Sequence, residues 1–408
     1  MVSLVEPFAK EGKERKRKAL FNRMKMNGST LFEPIRIKNM ELRNRFVRSA
    51  TYDGCAHEGY VTDKQVDLYA TLSEGGVGLI VTGITYVHPS GGLSKLQNSI
   101  EGDERIEGLK RLTSAVHERG ARIAVQLFHA GRESRFPESR DEIPLAPSLL
   151  EGDPYFKGRH RAMTEDEIWE VVHAFGDGAK RAREAGFDGV QVHGAHAYLL
   201  SQFLSPHTNR RKDVWGGGLE NRLRIHREIY RDIRQKVGED YPVFIKLGVQ
   251  DGFRGGLEFD EGRLAAKYLA HSGFDALEIS QGLRGSNYEE TEFRTKINSL
   301  DREAYYRRWC AEIKKEIDVP MMMVGGLRSF QLMEEIIENN EADLISLSRP
   351  LIREPSLIND WKRGDRHRSK CISCNKCLEG LRRGETLQCV QKRSVNLFCI
   401  NFGHEFVF

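Results

Sequence analysis

The chain has 408 residues, a net charge of +4, 39% hydrophobic and 30% charged residues. That is an ordinary globular balance, enough for one large domain with appendages or two ordinary domains. No apolar run reaches the ~20 residues of a membrane span, and the start, MVSLVEPFAKEGKERKRKALFNRMK, lacks the continuous apolar stretch of a secretory signal, so the expectation is a cytoplasmic enzyme without membrane or nucleic-acid partners.

Residues 1–29 read as a basic extension, its charges at 10–25 being a solvated arm rather than a nucleic-acid contact. Short β-branched runs then alternate with amphipathic stretches. RFVRSA (45–50) is the first expected strand, and TDKQVDLYATLSEGG follows with a cap signal at Thr62 and a glycine stop. GLIVTG (78–83), RIAVQLF (122–128) and FDGVQVH (187–193) are further strands. TEDEIWEVVHAFGDGAKRAREAG, before the last of these, has a Thr164 cap, early acids and late bases, as a helix dipole favours. The strands VFIKLG (243–248), FDALEIS (274–280), PMMMVGG (320–326) and DLISLSR (343–349) alternate with the helical LENRLRIHREIYRDIRQKVG, DEGRLAAKYLAHSG and SFQLMEEIIENN.

Eight strands alternating with helices predict an α/β fold, a (β/α)8 TIM barrel over residues 30–365. A doubly wound open sheet would call for a glycine-rich dinucleotide loop after the first strand, and RSATYDGCAHEG has no G-x-G-x-x-G. Barrel sites lie at the C-terminal strand ends. Read in order, these carry Ser49-Ala50-Thr51, Thr82-Gly83, Gln126 with His129, His193 with His196, Lys246, Ser280-Gln281, Gly325-Gly326 and Ser348-Arg349. The last two pairs follow strands seven and eight, the recurrent phosphate site of this architecture. Gly325-Gly326 would let backbone N–H groups approach an anion, and Arg349 would add a fixed charge. Gln126 offers donor and acceptor to a pyrimidine-like edge, and Lys246 places positive charge beside an electron-rich ring.

The stretch HGAHAYLLSQFLSPHTNRRKDVWGGGLENRLR closely resembles the signature of the Old Yellow Enzyme family of FMN oxidoreductases. NRFVRSAT, GVGLIVTG, VQLFHAGR, EAGFDGVQVH and SRPLIREP resemble family segments in the same order, over roughly residues 30–360. The resemblance implies that Ser49, Ala50 and Thr51 line the reactive edge of an FMN, and that Gly83 and Gln126 meet its ring. Lys246 would lie beside its N1–C2 region, where many relatives have arginine, while Gly325, Gly326, Ser348 and Arg349 would hold its phosphate. His193 and His196 would bind a substrate carbonyl and Tyr198 would donate a proton. Tyr52 stands where relatives commonly have Thr, Cys or His. The implied activity is NADH- or NADPH-driven reduction of activated C=C bonds: hydride from flavin N5 to the β-carbon, proton from Tyr198 to the α-carbon. A metal reading of His193 and His196 lacks a third ligand.

Of seven cysteines, Cys371, Cys374, Cys377 and Cys389 cluster as C-x2-C-x2-C-x11-C in a segment spanning 366–393, before an apolar tail at 394–408. Four thiolates at this spacing suit a [4Fe–4S] centre, with structural zinc or free thiols as alternatives. The segment looks like the iron–sulfur version of the family, as in 2,4-dienoyl-CoA reductase and trimethylamine dehydrogenase, whose members usually have one more residue between the second and third cysteines. Two other functions therefore stay open: an amine-dehydrogenase-like or demethylating flavoprotein passing electrons through the cluster to a partner, and an electron-transfer subunit without turnover. Intact His193, His196 and Tyr198 argue against the latter.

Overall fold

The computed structural model describes residues 28–135 and 143–392. The basic stretch 10–25, Cys399 and the tail 394–408 lie outside the described residues. Eight parallel strands form the barrel: β1 (Phe46–Arg48), β2 (Leu79–Tyr86), β3 (Arg122–Phe128), β4 (Gly189–Gly194), β5 (Val243–Gly248), β6 (Leu277–Ser280), β7 (Met321–Met323) and β8 (Leu344–Leu347). Each pairs with the next, and β8 returns to pair with β1, Ile345 opposite Phe46. That closure decides for the barrel over an open sheet. All eight expected strands are present, two with the expected bounds (122–128 and 243–248) and six displaced at an end by up to three residues.

The outer ring is α1 (Asp63–Glu74), α2 (Ile106–His117), α3 (Glu165–Glu184), α4 (Arg224–Val237), α5 (Phe259–His271), α6 (Arg307–Lys314) and α7 (Phe330–Glu338). The sequence patterns singled out all but α2 and α6. Both expected caps form: the Thr62 hydroxyl accepts from Gln65 N–H, and Thr164 makes a reciprocal capping box with Glu167. After β8 come α8 (Arg349–Arg353) and α9 (Leu357–Lys362), and the cysteine segment carries α10 (Lys376–Arg382).

The strands are buried on both faces, so their apolar runs are continuous rather than alternating. The outward side chains pack on the helices in one large cluster. At the N-terminal end an antiparallel hairpin, Ile35–Ile37 with Met40–Leu42, folds across the barrel. Its Ile37, Met40 and Leu42 join Val47, Leu79, Phe244, Met322 and Leu344 in a separate apolar plug. The C-terminal strand ends lie at the opposite mouth.

Candidate active site

A cavity of about 300 Å³ occupies the C-terminal mouth. Ser49, Ala50, Thr51, Gln126, His193, His196, Tyr198, Lys246, Gly325, Gly326, Ser348 and Arg349, twelve of the thirteen residues expected at a flavin or substrate, line it together. Gly83 does not. It sits where β2 breaks register between Val81 and Ile84, its N–H bonded to the Tyr69 hydroxyl at 2.8 Å. A Cβ there would stand 3.0 Å from the Thr51 carbonyl, so this glycine lets the loop after β1 lie close. His129 is also turned away, bonded to Ser90 Oγ at 2.9 Å and accepting from Gly131 N–H.

The floor is a buried polar network. Lys246 Nζ donates to Ser49 Oγ (2.8 Å) and pairs with Glu278 (3.2 Å), and Ser49 Oγ donates to Glu278 (2.7 Å). Gln191 Nε2 donates to the other Glu278 oxygen at 2.9 Å, and Gln126 Nε2 donates to Gln191 Oε1 at 2.7 Å. Gln191 and Glu278 did not emerge from the sequence. Their only signal is a polar residue pointing inward on a strand of otherwise apolar core.

One wall carries the histidines and the tyrosine. The His193 and His196 rings lie 5.0 Å apart, and Tyr198 lies 5.1 Å from His193, edge-on to Phe128 at 4.6 Å. His196 and Ala197 take left-handed backbone angles, φ 61 and 65, unusual for residues with a Cβ. Their N–H groups donate to the carbonyls of Gln281 and Gly282, which pins the loop after β4 to the loop after β6. His196 Nε2 bonds Ser280 Oγ at 2.7 Å, and His193 Nδ1 accepts from Ala195 N–H. The proton of neutral His193 is therefore on Nε2, a donor. Burial, reinforced by nearby positive charge, holds both imidazoles well below their usual range, so both are neutral near pH 7. Burial raises the Tyr198 hydroxyl above its usual value, against the pull of Arg284. Arg284 stands 5.2 Å over the Tyr198 ring and is itself clamped side-on by Glu292. Neither residue was singled out in the sequence, because the loop between β6 and α6 carries no motif.

The opposite wall carries the glycines. Gly325 and Gly326 have φ +121 and +72, and a Cβ on either would come within 2.9 Å of the Tyr305 ring. Arg349 donates to the Arg294 carbonyl and to Asn375 Oδ1, both at 2.7 Å, and makes no ion pair among the described residues. Buried Ser346 Oγ lines the same cavity and has no hydrogen-bond partner there.

Cys371, Cys374, Cys377 and Cys389 line one small cavity with Arg349 and Asn375, and none is in a disulfide. Cys377 also lines the large cavity. Among the described residues no three His, Cys, Asp or Glu side chains are placed to hold a metal ion. Burial raises the thiols of Cys371 and Cys377 above their usual range.

A profile of the NADH:flavin oxidoreductase / NADH oxidase family matches residues 30–367. The chain belongs to this family. The NADH oxidase of Thermoanaerobacter brockii is 37% identical over 349 residues, covering 85% of this chain and 52% of that protein. A 2-naphthoyl-CoA reductase in complex with 2-naphthoyl-CoA superposes with a TM-score of 0.81 at 27% identity, covering 88% of this chain and 56% of the other. The Old Yellow Enzyme homologue of Zymomonas mobilis superposes at 0.70 with 25% identity, covering 83% and 94%. The chain thus spans about half the length of the first two, and nearly all of the third. The family resemblance and the barrel are both borne out.

Proposed function

We propose that this chain is an FMN-binding barrel that reduces activated C=C bonds, such as enones or enoyl thioesters, at the expense of NADH or NADPH. The observation that carries the reading is the wall of His193, His196 and Tyr198, facing a cavity with a polar floor and a glycine-lined end. The residues fit FMN: a Cβ on Gly325 or Gly326 would crowd the Tyr305 ring that lines the cavity with them, Ser346 Oγ lacks a partner, and Arg349 is a cation without a counter-ion among the described residues. In this reading Gly325, Gly326, Ser348 and Arg349 hold the phosphate, while Ser49, Ala50, Thr51, Gln126 and Lys246 hold the ring. When bound, FMN supplies the hydride chemistry.

The chain's own residues do the rest. Neutral His193 donates from Nε2 to the substrate oxygen as negative charge grows there, with His196 beside it. Being neutral, the pair polarises a carbonyl without protonating it. Tyr198, protonated at neutral pH, donates to the α-carbon. Arg284 faces the oxygen that is left charged.

Heat-denatured holoprotein is expected to release FMN; recovering FAD, or no flavin after reconstitution, would remove the assignment. Anaerobic stopped-flow reduction by NADH and NADPH, then reoxidation by enones and enoyl thioesters, tests the reaction. Reduction of the flavin by amines, with no reoxidation by any enone, would favour an amine-dehydrogenase-like enzyme instead.

Cys371, Cys374, Cys377 and Cys389 are read as holding a [4Fe–4S] centre. Four thiolates around a cluster stand further apart than four on one tetrahedral zinc, whose Zn–S bonds are only ~2.3 Å. All four line one small cavity. Because burial raises the Cys371 and Cys377 thiols, loading must release protons and weaken at low pH. Anaerobically purified protein is expected to contain about four iron and four sulfide per chain. About one zinc without sulfide would make the site structural; no metal would leave no relay to an electron partner.

A further inference from the structure

Glu278 is a carboxylate at the bottom of the cavity that does not itself line it. It is fully buried, and it is bonded at once by Ser49, Gln191 and Lys246. A carboxylate only accepts, so it dictates the direction of every other bond in the floor. The Ser49 proton must point down to Glu278, which turns a Ser49 lone pair to Lys246. Gln191 must present Nε2 to Glu278, hence Oε1 to Gln126, and the remaining donor and acceptor of Gln126 are left to the cavity. Lys246 spends two N–H groups on Ser49 and Glu278, and its third has no partner among the described residues.

We propose that Glu278 is a positioning residue that keeps Lys246 protonated beneath the flavin in both oxidation states. The proposal rests on the flavin reading above and deepens it. A buried ammonium without a counter-ion gives up its proton readily. An oxidised flavin ring is neutral and offers no counter-charge, whereas a reduced ring carries negative charge at its pyrimidine edge. Without Glu278, Lys246 would therefore be neutral beside the oxidised ring and would take up a proton on reduction. With Glu278 it stays charged throughout, and reduction involves no proton uptake at this site. The other charged groups facing Lys246 do not titrate in the same window. His193 on β4 and His196 in the loop after it are held neutral by burial, and Arg284, in the loop after β6, is paired with Glu292.

The test is the pH dependence of the flavin midpoint potential between about pH 6 and 8, read spectroelectrochemically on FMN-loaded protein. E278Q is expected to add one proton to the two-electron reduction. That is a further tenfold change in its equilibrium constant per pH unit, or about 30 mV. E278D, which keeps the charge, should retain the wild-type slope, and K246M/E278Q should return to it. A wild-type slope in E278Q with FMN bound overturns the proposal, and so does a steep slope in K246M/E278Q. Should E278Q fail to fold, reduced-minus-oxidised infrared spectra of the wild type decide: no protonated-carboxyl band is expected, and one appearing on reduction overturns it. Wild-type protein that takes up no FMN overturns the flavin reading, and this proposal with it.

Discussion

Tyr198→Phe is expected to leave flavin reduction by NADH or NADPH intact while slowing reoxidation by an enone ~10²–10⁴-fold, the usual loss for a general acid. The first half-reaction moves a hydride and has no use for this hydroxyl. The second leaves negative charge on the substrate that must be protonated at carbon, and Tyr198 is the half-buried O–H donor beside His193 on that wall. Arg284, over the ring, offsets the charge left behind. Nitroalkenes should be least sensitive, because their nitronate product can be protonated later by water. His193→Ala should behave differently, weakening substrate binding and reoxidation together, since it removes a donor used before and during the transfer. Rapid mixing of each half-reaction separates these outcomes, and an unchanged enone rate in Tyr198→Phe would take the acid role from this residue.

Gly325→Ala is expected to yield protein that folds less stably and purifies without flavin. At φ +121 an L side chain is strained by roughly 1–3 kcal/mol. Its Cβ would also stand 2.9 Å from both Tyr305 and Tyr306, and Tyr306 is buried and stacked on Trp309. Neither ring can yield without disturbing the wall that faces the cavity. Gly217→Ala supplies the control, for it has φ +83 but nothing within 4 Å of its Cβ position. It should show the strain in its melting temperature and keep its FMN. Flavin content and thermal melts of the two proteins therefore separate backbone strain from a filled cradle. Retention of FMN by Gly325→Ala would move the phosphate site elsewhere.

The barrel was legible because parallel strands buried on both faces write themselves as short apolar runs, and because helix caps such as Thr62 and Thr164 are local. The ring of strand ends followed from that register alone, and it gathered residues as distant as Ser49 and Arg349 around one cavity. What stayed hidden was long-range. Ser49 and Glu278 bond across 229 positions of sequence, and nothing near either residue announces the other. Arg284 and Glu292 lie in a loop without periodicity, so their role appears only once Tyr198 is seen beneath the guanidinium. Gly83, expected at the flavin ring, is absent from the cavity lining and sits at the break in β2, a shift that no run of six residues can reveal. The hairpin at Ile35–Leu42 was passed over because two three-residue strands are too short to show alternation.

That hairpin has a kinetic meaning. With Ile37, Met40 and Leu42 sealing the far end, the barrel is a blind well rather than a passage. Whatever enters by the mouth must leave by it. In the proposed reaction a nicotinamide and an unsaturated acceptor must both reach the one cavity that His193 and His196 line, so neither can wait in the well while the other reacts. The enzyme proposed here must then work by turns: the donor leaves before the acceptor arrives, and each molecule acts as a competitive inhibitor of the other's half of the cycle.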